Sequence, residues 1–294
     1  MMNRMMLAFA ALLVSAPALA KARPFVSDRI AVSVEGRGRD VVLVPGMTSS
    51  PAAWKYTVKQ VPGYRYHLVQ VKGFAGVPAE GNANGDLIKA SGEEVARYIR
   101  EARLKKPAVV GHSMGGSIAL MIGARHPGLA SRIMVVDQVP WMGIFYGAPG
   151  LTPEKLRPIA DAARLQSLAQ TPEARRAQYQ AMTDGMVATQ SERAGVVQSA
   201  MDSDQAATAQ AFNELLMTDL RPELPRIAVP VRVLYVTPRI GPAVTDAYVD
   251  QIYRDSYAGL TGVTLVRVPD SAHFVMYDNQ PFFAKALKDF LTGR

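Results

Sequence analysis

Short apolar, β-branched runs alternate along the chain with segments of helical periodicity. The runs predicted to be strands cover residues 30–35, 40–44, 66–71, 108–111, 132–136, 231–236 and 263–268. The segments predicted to be helices cover residues 87–103, 113–125, 244–257 and 281–291. Strands that are apolar throughout, rather than alternately apolar and polar, are typical of a sheet buried on both faces. The pattern therefore predicts an α/β fold with a mostly parallel central sheet and helices on both faces.

One long stretch, about residues 141–225, interrupts this alternation because it contains only helical patterns. Two helix starts within it are marked by Thr152-Pro153 and Thr171-Pro172. Threonine caps the first turn, and proline is tolerated at the first helical position because its missing N–H would have no intrahelical acceptor. A helical block between two strands of a parallel sheet predicts a cap inserted into a single domain of residues 21–294.

The most informative motif is the sequence GHSMGG at residues 111–116. A buried strand is predicted directly before it and a helix directly after it. A G-x-S-x-G sequence in a strand–turn–helix context is the pattern of a nucleophile elbow, in which a tight turn holds a serine above the sheet at a helix N-terminus. The motif predicts that Ser113 is a nucleophile.

With this elbow in place, the chain resembles the α/β-hydrolase superfamily over nearly all of its length after residue 20. The sequence VLVPGM at residues 42–47 is similar to the family's oxyanion loop, with Pro45 where many members have histidine. The resemblance implies that the backbone N–H groups of Met47 and Met114 form an oxyanion hole for a tetrahedral intermediate.

A serine hydroxyl needs a base, and the chain has four histidines. His67 lies inside a predicted strand, His112 occupies the variable position of the elbow, and His126 ends a predicted helix. His273 follows the last predicted strand, in a segment that resembles the family's histidine loop. His273 is therefore the predicted general base.

The acid that would orient this histidine has two candidates. Many family members carry it after the strand predicted at residues 231–236, but the first carboxylate beyond that strand is Asp246. Other members place it one strand earlier, where Asp137 ends the strand at residues 132–136. We favour Asp137 because a strand end positions a side chain more accurately than a helix beyond a loop, and Asp246 remains the alternative.

These residues predict a serine hydrolase that cleaves carboxylic esters of small to medium, partly apolar molecules through an acyl-enzyme. A lactonase, thioesterase, amidase or carbon–carbon bond hydrolase of the same fold would have a similar sequence. A non-catalytic ligand-binding homologue is the alternative from another class, favoured by the absence of a carboxylate directly after the strand at residues 231–236, where many family members carry the acid.

The sequence predicts no cofactor and no metal. It has no G-x-G-x-x-G dinucleotide loop, no phosphate-binding G-K-[ST] loop and no His/Asp/Glu cluster with metal-ligand spacing. The expected partner is a small-molecule substrate.

The excess of basic residues does not indicate a nucleic-acid partner. Beyond residue 20 the chain holds 32 basic and 25 acidic residues, a formal net charge of +7. The basic residues are scattered, with no run longer than Lys105-Lys106 or Arg175-Arg176. A scattered excess is typical of a solvated surface.

The first twenty residues are predicted to be a cleaved signal peptide. Arg4 is their only charge, the apolar run that follows is too short to span a bilayer, and Ala18-Leu19-Ala20 matches a signal-peptidase site. We therefore expect an exported bacterial protein, periplasmic or extracellular, without a stable membrane anchor. The chain contains no cysteine, so no disulfide can form.

This prediction can be checked on the exported protein. Its N-terminus is expected at Lys21, because cleavage follows Ala20. Intact-mass analysis should show the loss of residues 1–20, whereas recovery of the full-length chain in a membrane fraction would contradict the signal-peptide interpretation.

Overall fold

The computed structural model describes residues 24–146, 150–238 and 244–294. The predicted signal peptide, residues 1–20, lies outside the described residues. So does part of the segment that precedes Asp246.

The strands of the described chain form one seven-stranded sheet in the order β1-β3-β2-β4-β5-β6-β7. The strands are β1 (Ile30–Gly36), β2 (Arg39–Val44), β3 (Tyr64–Val71), β4 (Ala108–His112), β5 (Arg132–Val136), β6 (Val231–Tyr235) and β7 (Thr264–Arg267). Only β1 is antiparallel to its neighbour, and every other pairing is parallel. The predicted α/β fold class with a mostly parallel sheet is confirmed.

Helices cover both faces of this sheet. The α-helices of the described chain are α1 (Lys55–Gln60), α2 (Ile88–Glu101), α3 (Met114–Arg125), α4 (Pro153–Leu168), α5 (Pro172–Met186), α6 (Gln190–Met201), α7 (Gln205–Met217), α8 (Asp246–Ser256), α9 (Val275–Asp278) and α10 (Gln280–Thr292). Within the described chain, none of them is both long enough and apolar enough to cross a membrane.

Successive strand residues supply two separate cores. Val42 and Val44 of β2 pack with buried residues of α2, α3 and α8 on one face. Val41 and Leu43 pack with Trp54 and residues of α10 on the other face. Because side chains alternate across a strand, burial on both faces requires continuous apolar runs, which is the pattern seen in the sequence.

The short helices α1 and α9 were not predicted from the sequence. They have six and four residues, too few to establish a helical period. Tertiary contacts stabilise this region instead, since Trp54, just before α1, stacks on Phe283 of α10 with ring centroids 6.2 Å apart.

Helices α4 to α7 lie between β5 and β6 in the chain. Helix α4 begins after Thr152 and α5 after Thr171, as the two Thr-Pro pairs predict, and each threonine hydroxyl accepts a backbone N–H of the first turn. Glu214 of α7 joins this block to the sheet domain, since its two carboxylate oxygens accept the N–H groups of Leu87 and Ile88, each at 2.7 Å. A carboxylate at the start of α2 also complements the helix dipole.

Candidate active site

Ser113 lies at a tight turn between β4 and α3, with backbone angles φ 52° and ψ −123°. A positive φ is unfavourable for a residue with a side chain, and such strain persists where the surroundings impose it. A Cβ atom at Gly111 would lie 2.0 Å from the carbonyl oxygen of Gly115. A Cβ atom at Gly115 would lie 2.2 Å from the carbonyl oxygen of Val44. The two glycines are required because backbone meets backbone on both sides of the serine.

Asp137 and His273 form a direct hydrogen bond. The Nδ1 atom of His273 lies 2.6 Å from Oδ2 of Asp137, and both side chains are largely buried. Asp137 follows the last residue of β5, and its own N–H donates to Leu234 of the neighbouring strand at 2.7 Å. The strand end thus fixes the backbone from which the carboxylate reaches the imidazole.

Sheet register brings Ser113 to the same edge as this pair. His112 of β4 pairs with Val136 of β5, so Ser113 and Asp137 follow paired residues. The N–H of Ser113 donates to the carbonyl oxygen of Val136 at 2.9 Å. Within the described residues, no hydrogen bond joins the Ser113 hydroxyl to His273. Such bonds are often long without substrate and shorten when it binds.

Asp246 lies elsewhere and makes local contacts. It is the first residue of α8, where the hydroxyl of Thr237 donates to Oδ1 at 2.6 Å and Arg267 forms an ion pair with Oδ2. The Thr237 hydroxyl and the nearby arginine lower the pKa of Asp246. Of the two acids left open by the sequence, the structure brings Asp137 to His273.

His112 packs against the loop that carries His273. Its ring is fully buried, 4.6 Å from the ring of His273 between centroids, and its Nε2 lies 3.0 Å from the backbone carbonyl oxygen of His273. Burial lowers the pKa of His112 well below its usual value. A neutral ring can donate from Nε2 to this carbonyl, which holds the backbone of the loop in place.

The predicted oxyanion donors belong to two segments that adjoin Ser113. Met114 is the first residue of α3, so its N–H has no intrahelical acceptor. Met47 follows Gly46, where an added Cβ atom would lie 3.1 Å from Cβ of Ser113. The next residue, Thr48, has a φ of 59°, and its carbonyl oxygen accepts the hydroxyl of Ser199 at 2.6 Å. A residue of α6 therefore holds the loop that carries Met47.

A cavity of about 320 Å³ begins at Met47 and extends between α4, α5 and α7. Its lining residues are all uncharged, and most of its accessible lining is apolar; they include Ala163, Tyr179, Met182 and Phe212. The cavity is large enough to hold part of a small organic molecule beside Met47, the residue of the predicted oxyanion loop that lines it.

Three contributors to this site were not foreseen from the sequence. The sequence placed His112 only at the variable position of the elbow. Its position next to Ser113 was the one sequence signal for a role at this site. Ser199 and Tyr253, whose hydroxyl donates to Asp137, gave no sequence signal at all. Their contacts join residues more than a hundred positions apart.

Comparison with known proteins finds a matching family model and a curated relative. Residues 41–286 match the model of the "Alpha/beta hydrolase family". Pimeloyl-[acyl-carrier protein] methyl ester esterase from Vibrio cholerae is 29% identical over 205 residues, which are 69% of this chain and 76% of that protein.

Solved structures of distant sequence share the fold. An esterase from Exiguobacterium antarcticum is 20% identical with a TM-score of 0.72, covering 90% of this chain and 95% of its own. An enol-lactonase from Burkholderia xenovorans is 19% identical with a TM-score of 0.69, covering 90% of this chain and 96% of its own.

The contact between Asp137 and His273 can be tested by paired substitutions. We expect Asp137→Asn to lower kcat for an activated ester by about 10⁴-fold, because an amide cannot stabilise the imidazolium and favours the wrong tautomer. We expect Asp246→Asn to change kcat by less than about threefold, because its contacts are local and exposed. Steady-state kinetics of both purified variants would measure this. An unchanged kcat in Asp137→Asn, together with a large loss of kcat in Asp246→Asn, would move the acid to Asp246.

Proposed function

The chain belongs to the alpha/beta hydrolase family, and from that premise we propose that it is a serine hydrolase that cleaves carboxylic esters through an acyl-enzyme on Ser113. The observation that carries the proposal is the 2.6 Å hydrogen bond between Asp137 and His273 at the sheet edge where the strained turn presents Ser113. A hydroxyl, an imidazole and a carboxylate in this order are the components that acyl transfer requires.

In the first half of the reaction, His273 acts as the general base. Its Nε2 takes the proton of the Ser113 hydroxyl while the serine oxygen attacks the ester carbonyl carbon. Asp137 accepts the Nδ1–H of the same ring, which leaves Nε2 unprotonated and able to act as the base. The carboxylate then stabilises the imidazolium, which gives its proton to the departing alcohol.

Charge on the carbonyl oxygen would be stabilised by the N–H groups of Met47 and Met114. Met114 adds the favourable field of the α3 N-terminus to its hydrogen bond. A single oxyanion donor typically contributes about 3 kcal/mol to the lowering of the barrier. Ser199 supports this arrangement indirectly through the carbonyl group of Thr48.

Hydrolysis of the acyl-enzyme completes the cycle. His273, again neutral, takes a proton from water, and the hydroxide attacks the acyl carbonyl carbon. The second tetrahedral intermediate uses the same two N–H donors. Its collapse releases the carboxylic acid, and the imidazolium returns a proton to the oxygen of Ser113.

The cavity next to Met47 favours an uncharged, partly apolar substrate. A charged group would lose its hydration in this cavity without gaining an ion-pair partner, since no lining residue carries a charge. The name of the Vibrio cholerae relative, a methyl ester esterase, also supports ester chemistry.

The covalent role of Ser113 is tested with a fluorophosphonate probe and p-nitrophenyl esters. The wild-type protein is expected to gain one probe adduct and to hydrolyse the esters. Ser113→Ala is expected to lose the adduct and at least about 10³-fold in kcat, because the nucleophile is gone. Ser117→Ala, on the same helix, is the matched control and should retain both. Probe labelling and ester turnover that survive Ser113→Ala would refute the proposal.

The substrate cavity is tested by filling it. Ala163→Phe places a ring in the cavity and is expected to raise KM for p-nitrophenyl octanoate at least about tenfold, while the acetate ester is hydrolysed nearly as before. Ala162→Phe, at the exposed neighbouring position, is the control and should behave as the wild type. An equal effect of Ala163→Phe on both esters would show that the apolar group binds elsewhere.

A further inference from the structure

The carboxylate of Asp137 accepts hydrogen bonds on both of its oxygens. Oδ2 faces Nδ1 of His273. Oδ1 accepts the hydroxyl of Tyr253 at 3.0 Å and the backbone N–H of Val236 at 3.1 Å. Two donors on one oxygen fix the plane of the carboxylate, so the direction in which the other oxygen points depends on them.

Tyr253 is itself held rigidly. It lies on α8 and is almost fully buried. Its ring stacks on Tyr235, with centroids 4.2 Å apart and an angle of 19° between the planes, and on Tyr257, with centroids 6.3 Å apart. Packing against two tyrosine rings and burial restrain the Tyr253 ring, and its hydroxyl donates to Asp137.

The hydroxyl is a permanent donor. Burial, together with the negative charge of Asp137, raises the pKa of Tyr253 well above its usual value. The phenol therefore stays protonated throughout the pH range in which a histidine base operates. Its bond to a carboxylate is charge-assisted and stronger than a bond between neutral groups.

We propose that Tyr253 is a positioning residue for the reaction, which holds the carboxylate of Asp137 so that Oδ2 stays aligned with Nδ1 of His273. The inference rests on the proposed function, because it assumes that Asp137 and His273 act together. Val236 provides the second anchor through its backbone, which no side-chain substitution removes. Tyr253 is thus the side chain on which the alignment depends.

The chain offers a matched pair of variants. Tyr253→Phe keeps the ring and its stacking but removes the donor to Asp137. Tyr257→Phe removes an equally buried hydroxyl from the same stack, one that donates to the backbone carbonyl of Gln138 at 2.7 Å. Both variants lose one buried hydrogen bond, so a general effect on packing or stability should be similar in the two.

Ester kinetics are expected to separate them. Tyr253→Phe should lower kcat by about 10- to 100-fold, the range that corresponds to one hydrogen bond to a charged group. Its KM should stay within about twofold, because Tyr253 does not line the substrate cavity. Tyr257→Phe should keep both constants close to those of the wild type. An unchanged kcat in Tyr253→Phe, or an equal loss in Tyr257→Phe, would overturn the proposal.

Proton NMR gives a second measurement that does not depend on activity. A proton held between a ring nitrogen and a carboxylate resonates far downfield, and the His273 signal is identified by its loss in Asp137→Asn. Tyr253→Phe should shift or broaden this signal, and Tyr257→Phe should leave it in place. His67, whose Nε2 lies 2.9 Å from Asp40, provides an internal reference that neither variant should move.

The two measurements distinguish failure of this inference from failure of the proposed function. An inactive wild-type protein whose His273 signal moves in Tyr253→Phe would retain the positioning contact and reject the ester chemistry. An active protein with an unmoved signal would reject the positioning role alone. If Tyr253→Phe does not fold, 3-fluorotyrosine at position 253 keeps the ring and the hydroxyl, and the stronger donor should move the same signal. An unmoved signal there would also reject the role.

Discussion

The arrangement of the site depends on the close backbone contact around Ser113. Strand β4 turns into α3 within a single residue, and the carbonyl groups of Val44 and Gly115 lie where side chains would otherwise begin. Glycine at positions 111 and 115 permits this contact, and the buried residues of β4 and α3 hold it against the strain of a positive φ. The same turn puts Ser113 at a helix N-terminus and leaves the N–H of Met114 without an intrahelical acceptor. One backbone constraint therefore sets the position of both the candidate nucleophile and a candidate oxyanion donor.

The parallel register then determines what surrounds the serine. Val136 pairs with His112 on one side and with Leu234 on the other, so residues following three adjacent strands meet at one edge. Asp137 extends from the middle one of these strands. Its carboxylate is mostly buried, and burial of a charge is unfavourable without hydrogen-bond donors. His273 supplies a donor from the histidine loop, Val236 from the end of β6 and Tyr253 from α8.

The inserted helices contribute to the site through contacts with the sheet domain. Glu214 accepts two N–H groups at the start of α2, and Glu192 pairs with Lys55, the first residue of α1. Ser199 reaches the loop that carries Met47. Helices α6 and α7 are thus held against the sheet domain by polar bonds, and α7 lines the cavity together with α4 and α5. Met47 lines this cavity and also belongs to the predicted oxyanion loop, so the cavity adjoins the backbone of the candidate oxyanion hole.

The sequence by itself determined the α/β fold class, because strands buried on both faces must be apolar throughout and parallel strands require intervening helices. It also singled out Ser113, whose turn is encoded by neighbouring glycines, and it indicated His273 through a local segment and the order of the chain. It favoured Asp137, which directly follows a predicted strand, and kept Asp246 as the alternative. Only the tertiary structure decided which carboxylate meets the imidazole, since that depends on strand register and loop path. It alone also placed His112, Ser199 and Tyr253. Hydrogen bonds between residues 116 to 161 positions apart arise from packing and leave no periodic pattern in the chain.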